Sequence, residues 1–127
     1  MARKLTKRAL AETSVEASPA EVARTIEEIF GIIEIFFKRQ NIDEKAGWVE
    51  LHGERRDVTL RSWGEKIKVE IIGDRIGGSA VRAESKAILP TTIFDYGQNK
   101  DNLSRIFAIL TTKYKSTSPI VFKEKTL

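Results

Sequence analysis

Hydrophobic and polar positions change period several times along this chain, and each change marks an element. Leu5, Ala9, Ala11, Thr13 and Val15 take odd positions in an otherwise polar stretch, the period-two pattern of a strand with one buried face. Lys7 interrupts the pattern, so the strand is predicted to be firm from about Ala9 and frayed before it. Ser18-Pro19-Ala20-Glu21 then combines a Ser cap, Pro at the first helical position and Glu three residues after the cap, which together start a helix. Its inner row is predicted as Val22, Ile26, Ile29, Phe30, Ile33, Phe36 and Phe37, with Lys38 and Arg39 suited to the negative pole of the helix dipole. Ile32 and Ile35 fall outside that row and Gly31 interrupts the run. The helix therefore carries more apolar surface than one stripe needs. A sheet and a second helix are the ordinary cover; a dimer face or one wall of an apolar ligand pocket is the functional alternative.

After a polar break at 40–46, four strand-like runs are predicted at 48–52, 57–63, 65–72 and 79–88, with 53–56 as a hairpin loop and Gly64 at a bend. The third run alternates Ile67, Val69 and Ile71 against Lys66, Lys68 and Glu70, a half-buried strand with one wet face. The fourth alternates Val81, Ala83, Ser85 and Ala87 against Arg82, Glu84 and Lys86, and its small side chains leave room for a helix to approach. Pro90 ends the alternation, and Leu103, Ile106, Phe107, Leu110 and Tyr114 resume at helical spacing. Asp95, Gln98, Asn99, Asp101 and Asn102 supply the short polar groups that satisfy free N–H groups at a helix start.

The order is strand, helix, four strands, helix. It predicts a two-layer α+β domain, one antiparallel sheet covered by two helices, over residues 1–117. Residues 118–127 read as a C-terminal tail in which Ile120-Val121-Phe122 has the composition of a short strand.

Composition narrows the class. With 127 residues, 41% of them hydrophobic and 31% charged, the chain is long enough to bury a core without staples. It has no cysteine, which excludes disulfides and thiolate metal sites, and no apolar run approaches the roughly 20 residues of a membrane-spanning helix. The basic start meets Glu12 too soon for a signal peptide, so a cytoplasmic location is expected. The net charge of +4 concentrates at the ends, in Arg3, Lys4, Lys7 and Arg8 and in Lys113, Lys115, Lys123 and Lys125. Solvated tails are the commoner role of such ends; contact with phosphate is the alternative.

Ser62-Trp63-Gly64-Glu65, an alternating hairpin, Leu89-Pro90-Thr91-Thr92 and then Phe94-Asp95-Tyr96-Gly97-Gln98-Asn99 with Asn102 together resemble a small family of uncharacterised bacterial domains. That family shares a Trp-Gly turn and an Asp-Trp-Gly-x-Asn-x-x-Asn junction before its last helix; Tyr96 stands here where the family has Trp. The order of elements is also similar to the helix-grip fold of START-type lipid-binding and polyketide-cyclase-like proteins, and to half of the TATA-box-binding protein. The resemblance implies that Trp63, Gly64, Asp95, Tyr96, Gly97, Asn99 and Asn102 serve the fold. It carries over no catalytic residue.

Chemistry is sparse. His52 is the only histidine, which excludes a multi-imidazole zinc site and a Cys–His nucleophilic pair. Near Glu50, Glu54 and Asp57, His52 offers half of an acid/base pair, although a histidine near a hairpin end is more often only solvated. The glycines of 73–78 open no helix and precede no Gly-Lys-Ser/Thr ending, so they form no phosphate loop. No cofactor or metal is implied. Three classes stay open. The first is a non-catalytic binding or interaction domain that holds a small apolar ligand between sheet and helix, lined by Phe30, Phe37, Trp48, His52 and Trp63, or that forms a homodimer. The second binds anionic surfaces, nucleic acid or membrane, through the basic termini and a wet face with Arg61, Lys66, Lys68, Arg82 and Lys86. Glu50, Glu70 and Glu84 interrupt that footprint. The third is a small cyclase- or hydrolase-like enzyme using His52 and Asp95. The first class is the expectation.

Overall fold

A computed structural model describes residues 6–43, 45–55, 64–74, 76–87 and 98–126. The elements are β1 (Thr6–Val15), α1 (Pro19–Ile32), β2 (Phe36–Asp43), β3 (Trp48–Arg55), β4 (Glu65–Gly73), β5 (Ser79–Ala87), α2 (Gln98–Lys113) and β6 (Val121–Thr126). The strands form one six-stranded antiparallel sheet in the order β2-β3-β4-β5-β1-β6. Both helices pack on the same side of it, α1 over β2, β3 and β4 and α2 over β1 and β5, and they touch each other. This is the two-layer α+β architecture expected, to which the described residues add β2 and β6. The predicted strand at 57–63 lies outside the described residues, as do Trp63, Asp95, Tyr96 and Gly97.

Alternation places the core. Ala9, Ala11 and Val15 of β1, Val49 and Leu51 of β3, Ile67, Val69 and Ile71 of β4, and Val81 and Ala83 of β5 are all buried on the helix side. Against them stand Val22, Ile26, Ile29 and Phe30 of α1 and Leu103, Ile106, Phe107 and Leu110 of α2. The small residues Ala9, Ala11, Ala83 and Ser85 lie where α2 meets β1 and β5, as their size requires. Tyr114 follows α2, packs against the core and shares a 2.8 Å hydrogen bond with Thr25 of α1, which ties the helices together.

The first helix starts where expected, with the Ser18 hydroxyl accepting from the Glu21 N–H at 3.3 Å. It stops earlier. Phe36, Phe37, Lys38 and Arg39 belong to an edge strand rather than to the helix, because the chain closes a Schellman motif at Ile33. Glu34 takes the left-handed conformation with φ of 62°, and the Ile35 N–H donates to the Phe30 carbonyl at 2.7 Å. Ile35, placed outside the inner row by helical spacing, is therefore buried, while Phe36 is 64% exposed.

Gly53 also differs from expectation. It is not in a hairpin loop but inside β3, opposite Phe37, and β3 pairs with β2 on one side and β4 on the other. A Cβ there would lie 2.5 Å from Ile35 Cγ2 and 2.9 Å from Phe30 Cε2. The glycine lets the end of α1 sit directly on the sheet. Residues 121–126, expected as tail beyond Phe122, continue as β6 along β1. Lys7, which breaks the alternation of β1, sits at an irregularity of that pairing between Thr6 and Arg8. Among the described residues no helix is long and apolar enough to cross a membrane.

Candidate functional site

The five residues offered as ligand contacts do not line one cavity. Phe30 is 1% exposed in the core beneath α1. Phe37 is on β2, paired with Gly53 and thus on the helix side of the sheet at its margin, 40% exposed. Trp48 and His52 alternate with the buried Val49 and Leu51 and face the other way, onto the side that no helix covers. Trp63 lies outside the described residues. The sheet itself stands between the two sets, because residues one apart on a strand point to opposite faces.

The open side carries a run of depressions lined by described residues. One of about 280 Å³ is walled by Ile72, Ala80, Pro119 and Val121 together with Glu12, Glu70 and Arg82. A second, of about 400 Å³, shares Glu12, Glu70, Arg82 and Val121 with the first and adds Leu10, Lys68, Glu84 and Lys123. A third, of about 470 Å³, shares Lys68 and Glu84 with the second and adds Lys38, Arg39, His52, Glu54, Lys66 and Lys86. Together they make a trough along β4 and β5. Ile72 lies six residue steps from Lys66 along β4, about 20 Å of strand.

Its two ends differ in chemistry. At the apolar end Trp48 stands opposite Ile72, and its indole N–H donates to the Glu70 carboxylate at 3.1 Å, which fixes the ring on this face. In the middle the charges pair across strands: Arg82 with Glu12 at 3.3 Å and Arg8 with Glu84 at 3.3 Å. His52 is hydrogen-bonded to Glu50 on the same strand, and Lys38 reaches Glu54 at 3.7 Å. Arg39, Lys66, Lys68 and Lys86, by contrast, have no ion pair among the described residues. Lys66 and Lys86 are direct cross-strand partners, an arrangement that repels. The glutamates that interrupt this face in the sequence are thus engaged elsewhere: Glu50 with His52, Glu84 with Arg8, Glu70 with Trp48. Sequence reading had the alternation of Lys66, Lys68 and Lys86 but not Arg39, which it assigned to a helix.

On the helix side, at the same end of the sheet, a buried polar cluster takes the place of expected helix caps. Asn99 and Asn102 lie inside α2, 0% and 1% exposed, and their side chains reach the sheet. Ser85 Oγ donates to Asn99 Oδ1 at 2.8 Å, and Asn102 Nδ2 donates to Glu65 Oε1 at 2.9 Å and to Ser85 Oγ at 3.2 Å. Arg55 Nη1 donates to Asn102 Oδ1 at 2.8 Å. Gly64, buried with φ of 106°, turns the chain into β4 so that Glu65 enters this cluster. Glu65 and Ser85 escape a sequence reading because each occupies an inward position of a strand where an apolar residue is the rule. The network fastens α2 to β3, β4 and β5, and a buried polar cluster with its partners in place specifies one packing of the layers.

The fold is helix-grip-like, one antiparallel layer covered by two helices on a single side. No family model matches the chain and no curated protein does. Among solved structures it is similar to the di-domain ARO/CYC BexL from the BE-7585A biosynthetic pathway, with a TM-score of 0.52, 15% identity, 82% of this chain covered and 45% of that one. The likeness is one of fold. The chain spans less than half the length of that protein.

Proposed function

We propose that the protein is a binding domain without a catalytic centre, and that it holds a small ligand with an apolar body in the trough on the open side of the sheet. The observation that carries this is the contrast between the layers. Phe30, Phe107, Ile26, Ile106, Leu51 and Leu110 are at most 1% exposed between helices and sheet, whereas the depressions described lie on the opposite side. Ligand sites are concave and largely apolar with a few polar groups. The end formed by Ile72, Ala80, Pro119 and Val121, beside Trp48, has that composition. The likeness in fold to an ARO/CYC structure is consistent with a ligand-holding role, and the trough puts that ligand on the open side of the sheet.

The test uses the neutral, apolar fluorophore N-phenyl-1-naphthylamine. Its emission is expected to rise with the wild-type protein and to fall to background with Ala80→Trp, which fills the apolar end from an exposed position. Loss of the signal in variants of the helix layer but not in Ala80→Trp would place the ligand beneath the helices instead.

A second reading rests on its own observation. Ile32, Phe36, Phe37 and Ile42 are 66%, 64%, 40% and 57% exposed on or beside β2, whose outer edge pairs with no strand among the described residues and is open to a second copy. Lys38 and Arg39 on the same strand oppose such pairing. Sedimentation velocity distinguishes the readings: a dimer that Phe36→Asp and Ile42→Lys dissociate would assign the edge to self-association, and a monomer removes that reading.

A further inference from the structure

We infer that the ligand of the open trough carries a phosphate group, and that Arg39, Lys66, Lys68 and Lys86 receive it at the basic end. This rests on the trough being the binding site and adds the chemistry of the ligand's polar head. Like charges directly opposite one another on adjacent strands destabilise a sheet, and here Lys66 and Lys86 are such a pair. The diagonal neighbour Lys68 and Arg39, paired with His52 across β2 and β3, add two more cations around the same depression. The nearby carboxylates do not neutralise them. Glu84, opposite Lys68, bonds Arg8, and Glu54, opposite Lys66, bonds Lys38. With Lys38, the depression holds five Lys or Arg side chains against Glu54 and Glu84.

Such a cluster is costly in the empty protein and favourable once an anion enters, since a doubly charged phosphate offers several acceptor oxygens to several donors. A carboxylate would satisfy fewer of the four cations. The apolar end lies along the same trough, so the fitting molecule is amphipathic: a phosphate monoester of an apolar body, with the ester end at Lys66 and Lys86 and the body toward Ile72 and Ala80. Nucleic acid fits less well, because along β4 and β5 the basic end gives way to the Arg82–Glu12 pair and then to apolar residues, and across the strands the next cation, Arg8 beside Lys86, is itself paired with Glu84.

Decyl phosphate, decanol and inorganic phosphate competing against N-phenyl-1-naphthylamine at low salt test the inference. Decyl phosphate should displace the fluorophore at a concentration lower than decanol by about tenfold or more, as one added charge-assisted contact is enough to give. In the Lys66→Gln/Lys86→Gln double variant, which leaves only Arg39 and Lys68 of the four, that advantage should fall several-fold while decanol competes as before. The variant's melting temperature should not fall, because a repulsion is removed. Equal potency of decyl phosphate and decanol on the wild-type protein, or an advantage undiminished in the double variant, overturns the proposal. Inorganic phosphate binding as tightly as decyl phosphate, followed calorimetrically, would make free phosphate the ligand and also overturn it. So would a single-stranded oligonucleotide that binds more tightly than decyl phosphate with a steep dependence on salt. If the neutral fluorophore never binds, the failure belongs to the trough itself and not to the assignment of its head group.

Discussion

The two faces of this sheet are built by the same strands and have opposite physics. On β4, Ile67, Val69 and Ile71 are sealed under α1 while Lys66, Lys68 and Ile72 remain in contact with water. On β3, Val49 and Leu51 are buried while Trp48, Glu50 and His52 look outward. The helix face has lost its space to packing, down to a glycine whose missing Cβ admits Ile35 and Phe30. The open face keeps its space and spreads its charges unevenly, paired in the middle, while at one end Arg39, Lys66, Lys68 and Lys86 have no ion pair among the described residues. Packing is concentrated on one side, and the depressions described lie on the other. The depressions lined by Ile72, Ala80, Arg82 and Lys66 accordingly lie on the face that neither helix covers.

Mutations should separate the faces. Phe30→Ala removes the largest ring at the α1–β3 contact and is expected to cost about 3–5 kcal/mol in urea unfolding, while leaving the trough's own residues untouched. A loss below 1 kcal/mol would mean that the helix face is far less tightly packed than described. Asn102→Ala removes the donor shared by Glu65 and Ser85 and should cost about 1.5–3 kcal/mol, with the loss seen as a lower midpoint at constant denaturant slope. Gly53→Ala forces a methyl against Ile35 and Phe30 and should destabilise by about 1–3 kcal/mol; a neutral outcome would show that the end of α1 yields easily. Smallest is Glu34→Gly. It relieves the left-handed backbone at the end of α1 and should stabilise by about 0.5–1 kcal/mol, read as a higher melting temperature.

These same positions explain what a reading of the sequence captures. β1, β4 and β5 follow from strict alternation, and the start of α1 follows from Ser18, Pro19 and Glu21, since both signals are local. The inner row of α2 follows from spacing, and Leu103, Ile106, Phe107 and Leu110 are all buried. β2 was hidden because Phe36 and Phe37 continue the helical spacing of Phe30 and Ile33, and the residue that stops the helix is Glu34 where glycine is usual. β3 was cut short because Gly53 suggests a turn until the neighbours that fill its side-chain space are known. Asn99 and Asn102 have the composition of caps, and only the tertiary partners Ser85 and Glu65 reveal that they are rivets. The basic end of the trough needed strand register and ion pairing, which no linear pattern contains: the glutamates that break the face in sequence prove to be engaged by Arg8, His52 and Trp48.

The most direct test of the two-face account is a titration of isotope-labelled protein with N-phenyl-1-naphthylamine, followed by amide and side-chain chemical shifts. The account predicts that shifts concentrate at Trp48, including its indole N–H, and at Ile72, Ala80 and Val121, while the methyl groups of Ile26, Ile106 and Leu110 stay in place. Shifts centred on those interior methyls, with Trp48 and Val121 unmoved, would contradict it and put the ligand between sheet and helices.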